Sequence, residues 1–179
     1  SGQPAPGAFK GTPFFLKTGT LDINQYNVVG TELLWVEGPF SLQSELMVSF
    51  VELRNASGAT FGGGYAQVGY FLTGEHRPYD RKAGAIDRVQ PHENFFRVRT
   101  DSGVAQGNGA WEVAFRVSHL DLESGSVRGG QMTDLTAGVN WYLNPYAKLV
   151  FNYIHAFTDD PKLGWNDTDA VGLRAQIDF

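Results

Sequence analysis

Strict alternation of apolar and polar side chains is the sequence feature that most constrains how this chain folds. The stretch GAWEVAFRVSHLDL places Trp111, Val113 and Phe115 on one side of an extended strand, with Glu112 and Arg116 on the other. A period of two residues indicates a β-strand with one apolar face. The same alternation occurs in VGTELLWVEG, FSLQSELMVSF, DLTAGVNWYL and DAVGLRAQIDF, and more weakly in YAQVGYFLTG and TPFFLKTG.

These stretches predict about eight strands when AKLVFNYIHAF, which is apolar on both sides and cannot be oriented, is added. The connections between them alternate in length. Gly38-Pro39 and Asn144-Pro145-Tyr146 are tight turns, whereas RNASGAT, LESGSVRGG and TDDPKLGWNDT predict longer polar loops. Short turns at one end and long loops at the other are typical of an antiparallel up-and-down transmembrane β-barrel, whose short turns face the periplasm. We therefore expect an all-β fold in which residues 1–179 form one barrel portion, with residues 75–108 as a periplasmic-side insertion.

Composition excludes several other classes of protein. The chain of 179 residues has a net charge of -5, so nucleic acid is not an expected partner, and it has no cysteine for disulfides or zinc-thiolate sites. Its four histidines lack metal-ligand spacing, and no serine lies in a nucleophile elbow. The sequence thus predicts no enzyme, no cofactor and no metal site.

The content of the two strand faces favours a membrane barrel over a soluble one. In a lipid-embedded barrel the apolar face points outward and the polar face lines a lumen. Glycine and polar residues mix on the second face here, and the chain ends on Phe179, which we expect to act as an assembly signal read by the barrel-assembly machinery. Aromatic residues near strand ends also predict interfacial girdles, namely Trp35, Trp111, Trp141, Tyr142 and Tyr146.

The face opposite the apolar one supplies the candidate pore-lining residues. Three are basic and four acidic, which predicts a polar, water-filled lumen. Glu112 and Arg116, four residues apart on one face, are expected chiefly to neutralise each other. In the alternative reading, Lys17, Arg116 and Arg174 guide anions. The full set is Lys17, Glu32, Glu45, Glu112, Arg116, Arg174 and Asp178.

A charged segment beginning EHRPYDRKAGAIDRVQP interrupts the strand pattern. Its basic and acidic residues nearly cancel, so we expect an ordered plug or shelf at the periplasmic mouth. Arg77, Arg81 and Lys82 are the anion-binding candidates in it, because arginine binds phosphate oxygens through two parallel hydrogen bonds. We predict that Arg77, Arg81 and Lys82 contribute more to ion preference than Arg116 or Arg174, because anion selectivity has to come from residues outside this chain or from this segment folding back into the mouth of the pore.

A family resemblance rests on four stretches in order: GTELLWVEGPFSLQSEL, YAQVGYFLTGEHRPYDRKAGAIDRVQP, GAWEVAFRVSHLDL and LTAGVNWYLNPYAKLVFNYIHA. Followed by a strand ending in phenylalanine, they resemble the C-terminal half of the phosphate-selective porin O and P family from about Phe14 onward. The resemblance implies half of a 16-stranded trimeric barrel in a bacterial outer membrane, passing small anions such as phosphate by diffusion. The expected partners are outer-membrane lipid, lipopolysaccharide, inorganic anions and two further copies of the protein.

Two other readings stay open at this point. A complete eight-stranded outer-membrane barrel needs a chain of similar length and serves as an anchor, adhesion or structural module. A lipid-modifying barrel enzyme needs a Ser/His/Asp constellation on one wall, and none is visible in the sequence. Of the three readings we favour the porin, because glycines on the second face leave room in a lumen that a small closed barrel has to fill.

Overall fold

The fold of the chain, in a computed structural model, consists of β-strands and their connections. The structure describes residues 2–4, 14–54, 56–82, 84–100, 103–161 and 163–178. No helix among them is long and apolar enough to cross a membrane. The strands are β1 (Gly2–Pro4), β2 (Phe14–Lys17), β3 (Ile23–Glu37), β4 (Phe40–Leu53), β5 (Ala59–Phe71), β6 (Tyr79–Asp80), β7 (Ala85–Ile86), β8 (Phe96–Thr100), β9 (Gly103–Gly107), β10 (Ala110–Ser124), β11 (Val127–Asn144), β12 (Ala147–Asp160) and β13 (Gly164–Ile177).

Seven long strands form one antiparallel sheet in the order β13-β12-β11-β10-β5-β4-β3. Neighbours in the sheet are neighbours in sequence except that β5 pairs directly with β10, across the segment that joins them. This is the predicted up-and-down arrangement. In the described part of the chain the sheet is open, with β3 and β13 as its two edges.

The pairing register confirms that the apolar residues of different strands share one face. One continuous row of paired residues crosses all seven strands and consists of Trp35, Leu42, Val68, Phe115, Ala137, Tyr153 and Val171. We call this side the outer face, and the side that carries Glu112 and Arg116 the inner face. Large apolar side chains on the outer face are exposed, while Glu112 and Asp134 on the inner face are 0% and 1% exposed. Burial is therefore the reverse of that in a soluble sandwich.

The strand that the sequence left unoriented, β12, is oriented by its partners. Asn144 and Tyr146 form a tight turn, so that Lys148 pairs with Tyr142 and Asn152 with Gly138 on the inner face. Phe151 pairs with Val139 on the outer face. The strand is apolar on both sides because Val150 and Ile154 lie on the inner face as well, where both are buried.

The loops predicted to be long are short, which corrects the sequence reading. Strand β10 continues to Ser124 and β11 begins at Val127, so most of LESGSVRGG is strand. Gly125 makes this tight turn possible through a positive φ of 58°. A membrane strand needs only about 9–11 residues, whereas the strands of the sheet have 13 to 18. The hydrogen-bond ladder continues beyond the apolar band, where polar side chains made the sequence look like a loop.

The weak strand in TPFFLKTG forms β2 but does not join the main sheet. It pairs with β1, so the sheet has seven of the predicted eight strands. Leu16 of β2 is fully buried against the inner face of β11, where a Cβ added to Gly130 would lie 2.9 Å from Leu16 Cδ2. Lys17 lies on the exposed part of this hairpin and not on a wall strand.

The segment between β5 and β10, which we call the connecting segment, packs against one end of the sheet. Val89 forms a small core with Phe71, Ala110 and Tyr142. The Phe95 N–H donates to the Leu143 carbonyl over 2.7 Å. This end also holds the connections 38–39 and 145–146, and we call it the Pro39 end. The opposite end, with the connection 125–126, is the Gly125 end.

The face assignment predicts different costs for arginine at two adjacent positions of β13. Leu173 is 69% exposed on the outer face, whereas a side chain added to inner-face Gly172 meets open space. In lipid vesicles, Leu173→Arg should lower the free energy of unfolding by about 2–4 kcal/mol, since it puts a charge into hydrocarbon. Gly172→Arg should cost less than about 1 kcal/mol, and denaturant titration of both variants measures the difference. Equal costs would contradict the assignment.

Candidate functional site

The inner face carries a basic cleft of about 420 Å³. Strands β10, β12 and β13 contribute Arg116, Lys148 and Arg174, and the segment after β5 contributes Arg77. The same cleft is lined by neutral hydrogen-bonding groups such as Asn140 of β11. Because β-strand side chains alternate, nearly all of the residues of these strands that line it belong to the inner face, Phe115 of β10 being an exception.

A buried acid is hydrogen-bonded to three of the residues that line this cleft. Glu112 is 0% exposed, and its Oε1 accepts hydrogen bonds from Arg77 Nε over 3.0 Å and from Arg77 Nη2 over 2.5 Å. Its Oε2 accepts hydrogen bonds from Asn140 Nδ2 over 2.8 Å and from Tyr142 Oη over 3.0 Å. Both carboxylate oxygens have hydrogen-bond partners, and the charge of Glu112 is compensated by Arg77. Arg116, Lys148 and Arg174, which we call the wall cations, are not needed for this.

The predicted neutralisation of Glu112 by Arg116 is therefore wrong. Residues four apart on a strand are separated by about 13 Å, at roughly 3.3 Å per residue, so they share a face without touching. A separation of four residues brings side chains together on a helix. Here Glu112 instead meets Asn140, its neighbour across the ladder, and Arg77, which the connecting segment brings back over the sheet.

Glycine provides the space for this buried carboxylate. A Cβ at Gly69, which lies on β5 beside β10, would be 2.6 Å from Glu112 Oε1 and 2.8 Å from Ser41 Oγ. The Glu112 side chain therefore lies flat over the neighbouring strand instead of projecting into the cleft. This explains why glycine and charge mix on the inner face.

Arg116 is held by an aromatic ring and not by an acid. Its guanidinium carbon lies 3.8 Å from the centre of the Tyr65 ring, and Gln43 Nε2 donates to Tyr65 Oη over 3.0 Å. Stacking covers the planar face of the guanidinium and leaves its N–H edge for oxygen ligands. Within the described residues, no carboxylate forms a salt bridge with Arg116.

Lys148 and Asp134 are site residues that the sequence reading missed. Lys148 is half-buried, with Nζ 5.4 Å from the centre of the Tyr142 ring. Its face could have been found by counting back from the tight turn at Asn144-Pro145-Tyr146, which fixes the register of the hairpin. Asp134 is 1% exposed and accepts hydrogen bonds from Ser118 Oγ and, over 3.3 Å, from Thr136 Oγ1.

The other predicted residues lie apart from the cleft. Glu32 and Glu45 pair with each other across β3 and β4 on the inner face. Asp178 follows β13 and accepts hydrogen bonds from Gln176 Nε2. Arg81 and Lys82 are exposed in the turn between β6 and β7.

Two sequence expectations about aromatic residues have different outcomes. Tyr142, expected in an interfacial girdle, lies on the inner face instead, because its register with Lys148 and its bond to Glu112 place it there. Phe179, the expected assembly signal, lies outside the described residues.

A second buried acid fixes the connecting segment outside the sheet. Glu75 is 2% exposed and accepts hydrogen bonds from Thr73 Oγ1 and, over 3.0 Å, from the His92 N–H. Burial raises the pKa of its carboxyl, but these hydrogen bonds, its own backbone N–H and the nearby His92 ring outweigh burial. The pKa lies below the ordinary value of 4.5 as a result.

Comparison with known proteins gives a family match and two relatives. The family model for phosphate-selective porin O and P matches residues 12–179. Porin O of Pseudomonas aeruginosa is 30% identical over 164 residues, which cover 86% of this chain and 35% of the relative. A protein of Caulobacter vibrioides described as uncharacterized is 28% identical over 167 residues, 90% of this chain and 32% of the relative. The chain thus spans about a third of the length of the curated relatives it matches.

The buried pair predicts that Arg77 is needed for stability while Arg81 is not. Arg77→Ala removes the cation that pairs with the buried Glu112 carboxylate, which should lower the free energy of unfolding by about 3 kcal/mol. Arg81→Ala, at an exposed position of the same segment, should change it by no more than about 0.5 kcal/mol. Adding Glu112→Gln to Arg77→Ala should restore part of the lost free energy of unfolding, as measured by denaturant titration. If nothing is restored, Arg77 does not stabilise the protein through its ion pair with Glu112.

The lowered pKa of Glu75 predicts that acid loosens the connecting segment. A carboxyl group whose pKa is lowered in the folded protein stabilises the fold when the pH is above the group's ordinary pKa. This stabilisation is lost as the pH falls through the lowered pKa. Hydrogen exchange of residues 72–100 should therefore speed up between pH 5 and pH 3, after correction for the intrinsic rate. Glu75→Gln should abolish the change, and persistence of the change in this variant would assign it to another group.

Proposed function

Since the chain belongs to the phosphate-selective porin O and P family, we propose that it forms part of the wall of a bacterial outer-membrane porin and lines a water-filled path for small anions such as phosphate. The family match confirms the resemblance predicted from sequence. The single observation that carries the proposal is the convergence of Arg116, Lys148 and Arg174, from three strands, on one inner-face cleft, beside which the buried Glu112 is already paired with Arg77.

The exposed apolar residues of the outer face form a band that runs obliquely across the strands, as it does in a membrane barrel with tilted strands. On β4 the apolar residues reach at least Val48, which lies in the ladder row of Asp121. On β13 they end at Val171, in the row of Phe115, and Asp169 follows. The two rows are six residues apart on β10, about 20 Å, over five strand spacings of about 4.8 Å each. The resulting slant is at least about 40°, which is comparable to the strand tilt of outer-membrane barrels.

Aromatic side chains mark the edge of this band at the Pro39 end. Trp111 and Trp141 pair across the ladder on the outer face and stack with ring centres 4.8 Å apart. Trp35 lies at the corresponding end of β3 and is 50% exposed. Indole rings prefer the boundary between hydrocarbon and water. We place this end, which holds the tight turns and the connecting segment, on the periplasmic side.

The open sheet favours a larger barrel over a complete small one. Edges such as β3 and β13 present unpaired N–H and C=O groups, which hydrocarbon cannot satisfy. Further strands of the same porin, in the 16-stranded trimeric arrangement of the family, would pair with them. Outer-membrane lipid, lipopolysaccharide and the barrel-assembly machinery are the partners that such a location implies.

The three wall cations supply the electrostatics that a diffusive anion path needs. Charges act over a Debye length of about 8 Å at physiological ionic strength, so cations sharing one cleft act together on a passing ion. Arginine offers paired N–H groups to phosphate oxygens, and lysine adds a point charge. Arg77 contributes less in this arrangement, because Glu112 accepts its hydrogen bonds. This revises the sequence expectation, which gave the segment the larger share.

The proposal predicts which substitutions change ion preference. In single-channel recordings of the full-length porin in a salt gradient, Lys148→Gln and Arg174→Gln should each shift the reversal potential toward lower anion preference, and the pair should shift it further. Arg81→Gln with Lys82→Gln removes the same number of charges from the exposed turn and serves as the matched control. If the control changes the reversal potential more than the Lys148→Gln, Arg174→Gln pair does, the ion preference comes from the connecting segment and the proposal is wrong on this point.

A further inference from the structure

A second cleft lies on the inner face, beside the basic one and toward the Gly125 end. It measures about 540 Å³ and lies among strands β3, β4, β5, β10 and β11. Unlike the basic cleft, it is lined mainly by apolar side chains of the inner face, including Val28, Met47, Phe61, Leu120 and Leu122, and we call it the apolar cleft. A polar lumen does not require this surface, and the proposed passage of phosphate leaves it without a role.

The absence of a side chain at a glycine makes the apolar cleft deeper. A Cβ at Gly63 on β5 would lie 3.0 Å from Leu120 Cδ1 and 3.1 Å from the His119 carbonyl oxygen. Leu120 therefore lies down over the bare backbone of the neighbouring strand. Met47 remains 49% exposed at the opposite wall. The result is a shallow apolar trough instead of a row of projecting side chains.

The two clefts meet at three residues that line both, namely Arg116, Ser118 and Asp134. Asp134 is 1% exposed and accepts hydrogen bonds from Ser118 and Thr136, so it offers little surface to a solute. Arg116 is the residue at the junction with donors for an anion. Lys148 and Arg174 lie beyond it in the basic cleft.

One further acid borders the apolar cleft. Glu45 lies on β4, two strands from β10, next to Tyr65. Opposite charges therefore lie on opposite sides of the junction. The wall cations lie on β10, β12 and β13, and the carboxylate of Glu45 lies on β4. A solute with one anionic group and one apolar group fits this surface in one orientation, with its anion toward Arg116 and its apolar part between Met47 and Leu120.

We propose that the two clefts together form a binding site for amphipathic organic anions, such as alkyl or aryl phosphonates and carboxylates. The site rests on the proposed function, because it uses the same Arg116 that guides inorganic anions. Each methylene fully buried on apolar surface tightens binding about fourfold. An open trough covers only part of a chain, so a hexyl group should gain about tenfold over a methyl group.

The test is block of chloride current through the full-length porin in planar bilayers by methylphosphonate and by hexylphosphonate. We expect hexylphosphonate to block at about a tenfold lower concentration. Leu120→Asn and, separately, Met47→Gln should reduce this advantage to about threefold or less while leaving block by methylphosphonate unchanged. Leu34→Asn changes an inner-face leucine on β3 that lines neither cleft, and it should keep the full advantage.

The outcomes separate this inference from the proposed function. Equal block by the two phosphonates in the unsubstituted porin would overturn the inference and would mean that another part of the porin covers the apolar cleft. An advantage that survives both Leu120→Asn and Met47→Gln would overturn it as well, since the alkyl chain then binds elsewhere. If inorganic phosphate also fails to compete with chloride and the channel shows no anion preference, the proposed function itself is wrong.

Discussion

The continuous antiparallel ladder is the constraint on which every other feature of this structure depends. Each strand pairs with its neighbours over most of its length, so the side of the sheet on which a residue lies is fixed by whether its number is odd or even within that strand. A shift of one residue in any strand would put charges such as Arg116 among the exposed outer-face side chains. The ladder thus couples the apolar band to the cleft, and neither can change register alone.

Periodicity predicts the wall strands well because the alternation of side chains is a local property. It fails where the needed information lies on another strand or beyond the apolar band. Lys148 was missed because β12 is apolar on both sides, and only pairing with β11 reveals its face. The polar ends of β10 and β11 looked like loops because their side chains no longer alternate in hydrophobicity, although their backbone hydrogen bonds continue.

The site was predicted least well where it depends on contacts distant in sequence. Arg77 and Glu112 are 35 residues apart, and nothing in their spacing indicates that they pair. The segment carrying Arg77 brings this side chain to the inner face, where its main electrostatic effect is on Glu112 of β10. By compensating the buried carboxylate, Arg77 converts a balanced set of inner-face charges into a cleft in which Arg116, Lys148 and Arg174 predominate. A count of charges along the chain cannot show this.

Glycine gives the inner face its shape, and this explains why one wall can carry two adjacent surfaces of different chemistry. At Gly69 the missing side chain lets the Glu112 carboxylate lie within the sheet, where it leaves the cleft to the cations. At Gly63 the same omission lets Leu120 lie flat and extends apolar surface to the edge of Arg116. On an ordinary strand, side chains of this size would project and separate the two regions. Because they lie down instead, charged and apolar surface adjoin on the inner face within the span of one small molecule.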